Sequence, residues 1–129
     1  MDTMSATVAP ARCAASVAGA RESTRHFLQD LLPAVAAEAA DTVILVVSEL
    51  VTNALRHGGG TWTLNLTAHP DSIEVAVHDR SPHAPRMRTP DLNDGTGGFG
   101  WPMVNCLAHT TAVTHHPAGG KTVSALLAR

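Results

Sequence analysis

The stretch Ser48-Glu49-Leu50-Val51-Thr52-Asn53-Ala54-Leu55-Arg56-His57-Gly58 decides how the rest of the chain is read. It has the pattern of a helix: Val46, Val47, Leu50, Val51, Ala54 and Leu55 recur as one broad apolar face, and Gly58-Gly59-Gly60 ends it. Glu49 and Asn53 stand four residues apart, about 40° around such a helix, so both can reach one ligand. A carboxylate and an amide set into so apolar a helix need partners, because burying either one unpaired is costly. A metal ion with bound phosphates would supply them.

Upstream, Asp41 or Thr42 is expected to cap this helix, with residues 34–40 a short helix or a loop before it. Val17, Ala20, Thr24, Phe27, Leu28, Leu31 and Leu32 repeat at spacings of three and four, which predicts an amphipathic helix over about 14–32, followed by Pro33. Arg21, Glu22, Arg25 and Asp30 fall on its wet side, where charges usually form a solvated face. Residues 1–12 mix Thr, Ser, Ala and Pro without period and are expected to be a flexible arm able to contribute an edge strand.

Downstream, residues 62–68 alternate Trp62, Leu64, Leu66 and Ala68 with polar positions, and 73–77 alternate again after the turn Pro70-Asp71-Ser72. These make a hairpin whose second strand delivers Asp79. Residues 81–94 hold Pro82, Pro85 and Pro90 and no apolar period, and Gly95-Thr96-Gly97-Gly98-Phe99-Gly100 prolongs them into a long loop over about 80–100. A helix is expected over 101–108, then strands over 111–116 and 121–127, joined at Pro117-Ala118-Gly119-Gly120. The architecture that follows is a single-domain, two-layer α/β sandwich, with helices on one face of a mixed, mostly antiparallel sheet.

Composition narrows the function. At 129 residues the chain is one domain, able to bury about two-thirds of its unfolded surface. Cys13 and Cys106 are too few for a disulfide framework and read as reduced thiols. A net charge of −2 and a pI of about 6.4 give no basic field for gripping nucleic acid. No run approaches the roughly 18 apolar residues of a membrane span, and the N-terminus lacks a secretory core, so a cytoplasmic location is expected. His115-His116 are strand neighbours that point to opposite faces, a poor chelate expected to place one ring on the core side and one outside. There is no Gly-x-x-x-x-Gly-Lys-Ser/Thr, which excludes a P-loop.

Four motifs in order, Glu49-Leu-Val-Thr-Asn53-Ala, Asp79-Arg-Ser-Pro, Gly97-Gly98-Phe99-Gly100 and Gly119-Gly120-Lys121-Thr122-Val123, resemble the ATP-binding domain of the histidine-kinase-like (GHKL) ATPases. More narrowly, they are similar to the bacterial anti-sigma-factor serine kinases. Histidine kinases carry glycine two residues after the aspartate, where this chain has Ser81, and the Ser-Pro form points to the anti-sigma group. The resemblance implies a Bergerat-type fold with an ATP lid over about 80–100, ATP and Mg²⁺ as cofactors, and transfer of the γ-phosphoryl group to a serine or threonine of an antagonist protein. It also implies a homodimer that sequesters a sigma factor or similar regulator and is countered by an anti-anti-sigma-type partner.

Residue by residue, the resemblance makes Glu49 the general base and Asn53 the Mg²⁺ ligand, roles that suit a carboxylate orienting a hydroxyl and an oxygen donor for a hard cation. At Arg56 the resemblance often places a basic residue near the nucleotide or a partner, although the helix macrodipole alone would account for a cation there. Asp79 accepts a hydrogen bond from the adenine amino group, and Thr122 hydrogen-bonds near the base through water. Gly95, Gly97, Gly98 and Gly100 cradle phosphate, with the next helix N-terminus behind them. Lys121 is expected to face solvent, with phosphate as its other conceivable partner.

Phe99 stands where many relatives have arginine, and Trp101-Pro102 replaces a more usual pair. These departures motivate an alternative, a partner-switching module that binds nucleotide without catalysis. A detached histidine-kinase catalytic domain fits less well, since the chain has no phosphoacceptor helix.

Overall fold

The computed structural model describes residues 4–8, 17–57, 62–80 and 100–129. Three helices, α1 (Val17–Gln29), α2 (Ala37–His57) and α3 (Gly100–Leu107), cover one face of a five-stranded sheet made of β1 (Met4–Val8), β2 (Trp62–Ala68), β3 (Ser72–Asp79), β4 (Thr110–His115) and β5 (Lys121–Ala128). Strand order is β1-β2-β3-β5-β4, and all four pairings are antiparallel where the sequence allowed a mixed sheet. The α/β sandwich expected from the sequence is therefore the observed fold. β1 is an edge strand contributed by the N-terminal arm, while the glycine lid lies outside the described residues apart from Gly100.

Burial follows the alternation. β2 buries Trp62, Leu64, Leu66 and Ala68, β3 buries Ile73, Val75 and Val77, and β5 buries Val123, Ala125 and Leu127, all against the helices. Helix α2 lies across this surface and touches α1, α3, β2, β3 and β5. Its Val43, Val46, Val47, Leu50, Val51 and Ala54 are 0–2 % exposed. At about 1.5–3 kcal/mol for each fully buried valine or leucine, that stripe is the main reason α2 docks where it does.

Helix boundaries depart from the sequence expectation in two places. α2 begins one turn before the expected cap, at Ala37, because the alanine-rich run already supports i to i−4 bonding, with the Ala40 amide donating to the Ala36 carbonyl at 2.9 Å. Asp41 and Thr42 are consequently inside the helix, where the Thr42 hydroxyl donates back to the Glu38 carbonyl at 3.0 Å. α1 stops at Gln29; Leu31 is buried just beyond it, whereas Leu32, expected on the apolar face, is 86 % exposed. The tight bonds from the Asp30 and Leu31 amides to the Phe27 and Leu28 carbonyls turn the chain before Leu32 can reach the core. Arg21, Glu22, Arg25 and Asp30 are exposed as expected. No helix among the described residues is long and apolar enough to cross a membrane.

Candidate functional site

Glu49 and Asn53 flank the buried stripe of α2, one turn apart, and both are half-buried. The sequence places them there because the stripe runs through Val46, Leu50 and Ala54, leaving the neighbouring flank to polar groups. The Asn53 Nδ2 atom is fully buried and has no hydrogen-bond partner among the described residues. Glu49 makes no ion pair among the described residues. An orphaned buried amide donor costs about 1–3 kcal/mol, so this part of α2 is unsatisfied until an acceptor meets it. Arg56 is exposed in the last turn.

At the end of β3 the register aligns four residues across the sheet: Trp62 with Asp79, Asp79 with Lys121, and Lys121 with His115. Trp62 and Lys121 are each 3 % exposed, and the Trp62 indole N–H is a second buried donor without a partner among the described residues. Lys121 Nζ donates to Asp79 Oδ1 at 2.8 Å and Oδ2 at 2.9 Å, with both side chains 4 % exposed. This corrects the expectation that Lys121 faces solvent or a phosphate. Its buried neighbours Val123, Ala125 and Leu127 share its strand phase, and that phase was the signal in the sequence. Gly120 makes the approach possible: its φ is +84°, and a Cβ there would lie 2.4 Å from the Asp79 carbonyl oxygen.

Thr122 lies on the opposite face of the sheet, so the structure does not bring it to Asp79. Its register partner is His78. There Asn65 Nδ2 lies 3.0 Å from His78 Nε2, and His78 Nδ1 is hydrogen-bonded to the Thr122 hydroxyl. Thr122 in turn bonds His116 Nε2 at 2.6 Å. This polar chain of Asn65, His78, Thr122 and His116 was not read from the sequence. It also corrects the histidine-pair expectation, since His115 and His116 are both exposed.

Gly95, Gly97 and Gly98 lie outside the described residues, and Gly100 is the first residue of α3. Pro102 sits in the first turn of that helix, where a missing N–H costs nothing, and Val104 fixes the helix in the core. A groove of about 360 Å³ between α1 and the N-terminal half of α2, lined by Leu28, Val35 and Ile44 among others, includes none of the candidate site residues.

The helix-facing side of the sheet thus combines unpartnered buried donors with a carboxylate and an amide one turn apart on α2. Such a surface suits an acceptor-rich ligand, and the phosphates and ring nitrogens of a nucleotide meet that description. Among the described residues no group of three or more His, Cys, Asp or Glu could hold a metal ion, so a cation here would draw most of its ligands from water and phosphate, as Mg²⁺ does. No curated protein matches the chain. A family model, that of the histidine kinase-like ATPase domain, matches residues 9–126, which span α1, the candidate residues of α2, Asp79 and most of β5. The chain belongs to the histidine kinase-like ATPase domain family, and ATP is the ligand that membership implies.

Proposed function

We propose that the protein is an ATP-dependent regulator of the anti-sigma-factor kinase type, which phosphorylates a serine or threonine of an antagonist protein and sequesters a transcription regulator when that antagonist is absent. The observation that carries this reading is the buried, unpartnered amide of Asn53, one turn from the unpaired carboxylate of Glu49. Asn53 would offer its carbonyl oxygen to Mg²⁺ and Asp79 would meet the adenine, while the glycines from Gly95 to Gly100 would hold the phosphates. When bound, Mg²⁺ neutralises charge on the phosphate oxygens.

Glu49 acts on the incoming hydroxyl. As the acceptor oxygen bonds to the γ-phosphorus and the bond to the β-phosphate oxygen breaks, the hydroxyl proton passes to the Glu49 carboxylate and ADP leaves. The partners are proposed as a sigma factor or similar regulator and an anti-anti-sigma-type antagonist, with the chain acting as a homodimer. The test is phosphotransfer to a candidate antagonist: phosphoserine or phosphothreonine formed by the wild type and lost in Asn53→Ala supports a kinase. ATP binding without any phosphotransfer, coupled to a nucleotide-dependent change in partner affinity, would favour the non-catalytic switch that Phe99 and Trp101-Pro102 suggest.

A further inference from the structure

We propose that His78 and His116, with Asn65 behind His78, form a binding site for a divalent cation of the zinc class on the open face of the sheet. The inference is independent of the ATP-site reading. His78 and Thr122 are register partners in the half-buried phase of β3 and β5, opposite to the buried phase of Val77 and Val123 that faces the helices.

Two imidazoles from distant parts of the chain are aimed at one point. His78 stands near the end of β3, and its Nδ1 is hydrogen-bonded to the Thr122 hydroxyl; His116 follows β4, and its Nε2 lies 2.6 Å from the same oxygen. The ring centroids are 5.8 Å apart, with the planes tilted by 36°. Both rings are carried on well-tied backbone. β3 and β5 pair along their whole length, and the turn that holds His116 is closed by its amide, which donates to the Gly120 carbonyl at 3.1 Å, and its carbonyl, which accepts from the Gly119 amide at 2.9 Å.

Imidazole nitrogen suits zinc, copper and nickel, whereas Mg²⁺ and Ca²⁺ take oxygen. An ion ligated by both nitrogens takes the place of the hydroxyl that bridges them, and rotation of Thr122 about χ1 to another staggered position vacates that place. To ligate through Nδ1, His78 must carry its proton on Nε2, where Asn65 Nδ2 lies 3.0 Å away. The Asn65 amide, turned over, offers its oxygen to that N–H, the kind of outer partner a ligating histidine almost always has. His116 is exposed, so ions reach the pair directly. Two protein nitrogens are fewer than the three or four of a resident zinc centre, and no third His, Cys, Asp or Glu joins them among the described residues. Water fills the other positions, and the site loads and empties with the supply of metal. Because only the folded chain brings the two rings together, a bound ion stabilises the fold by mass action.

The test is calorimetric titration of the full chain, without nucleotide, with ZnCl₂ and with MgCl₂, beside melting curves taken with and without ZnCl₂. The wild type is expected to bind zinc and to melt higher with it, and MgCl₂ should do neither at this site. His116→Gln, a change at an exposed ring, and His78→Gln should each weaken zinc binding at least about tenfold and remove the melting shift, and Asn65→Ala should weaken it about tenfold through the lost outer partner. His115→Gln, which changes the neighbouring ring opposite Lys121, should leave zinc binding as it was. Should His78→Gln fail to fold, His116→Gln and Asn65→Ala still decide the matter. A wild type that zinc does not bind overturns the proposal. Zinc binding that His116→Gln leaves unchanged, or that His115→Gln weakens as much, marks an adventitious ion only and overturns it as well.

Discussion

Glu49, Asn53 and Gly120 show how differently single residues announce themselves. Glu49 and Asn53 were legible because their four-residue spacing on an apolar helix is readable without coordinates, and the structure leaves the Asn53 amide buried and unmet. Glu49→Gln preserves shape but cannot take a proton. It is expected to lower phosphotransfer by about 10²–10⁴-fold while ATP affinity stays near wild type, measured by single-turnover kinetics beside a binding titration. A parallel loss of affinity would assign Glu49 to binding instead. Gly120 was read only as part of a turn; the close approach to Asp79 is a tertiary contact that no local pattern encodes. Gly120→Ala forces a Cβ to within 2.4 Å of a backbone oxygen at a φ of +84°, and is expected to destabilise the fold by about 2 kcal/mol or more in denaturant unfolding. An unchanged midpoint would mean that the strand entry relaxes freely.

Among the elements, the hairpin β2–β3 and the β4–β5 turn were read almost to the residue, because period-two alternation and glycine-marked turns are local signals. The start of α2 and the end of α1 were not. At α2 the helix propensity of an alanine run outweighed a good capping residue, and at α1 a tight turn overrode the continuing apolar period. Thr122 illustrates a subtler failure: its strand was right, but in a strand one residue decides the face, and Lys121 rather than Thr122 shares the buried phase. α2 is the element that joins fold to site. Leu50, 2 % exposed at the centre of its stripe, is one position from Glu49 and three from Asn53. Leu50→Ala is expected to cost about 2–5 kcal/mol in chemical denaturation and to weaken nucleotide binding as well, since α2 would no longer be held against the sheet. A destabilised variant with intact nucleotide affinity would separate the stripe from the site.

For the whole molecule, the arrangement is a sheet with one dry and one open face, and the chemistry is divided between them. The dry face carries Asn53 above it and the Asp79–Lys121 pair within it, while the open face carries the chain from Asn65 to His116. That division was visible from the sequence in outline, through alternation in β2, β3 and β5, and the family match over residues 9–126 covers all four motifs. The central claim is that the dry face is an ATP site completed by Asn53 and a divalent cation. Titration calorimetry with ATP, with and without Mg²⁺, on the wild type and on Asn53→Ala tests it without any knowledge of partners. The account predicts binding by the wild type that weakens at least tenfold, about 1.4 kcal/mol, when either the metal or the Asn53 amide is removed. Binding indifferent to both, or no binding by a folded wild type, would contradict it.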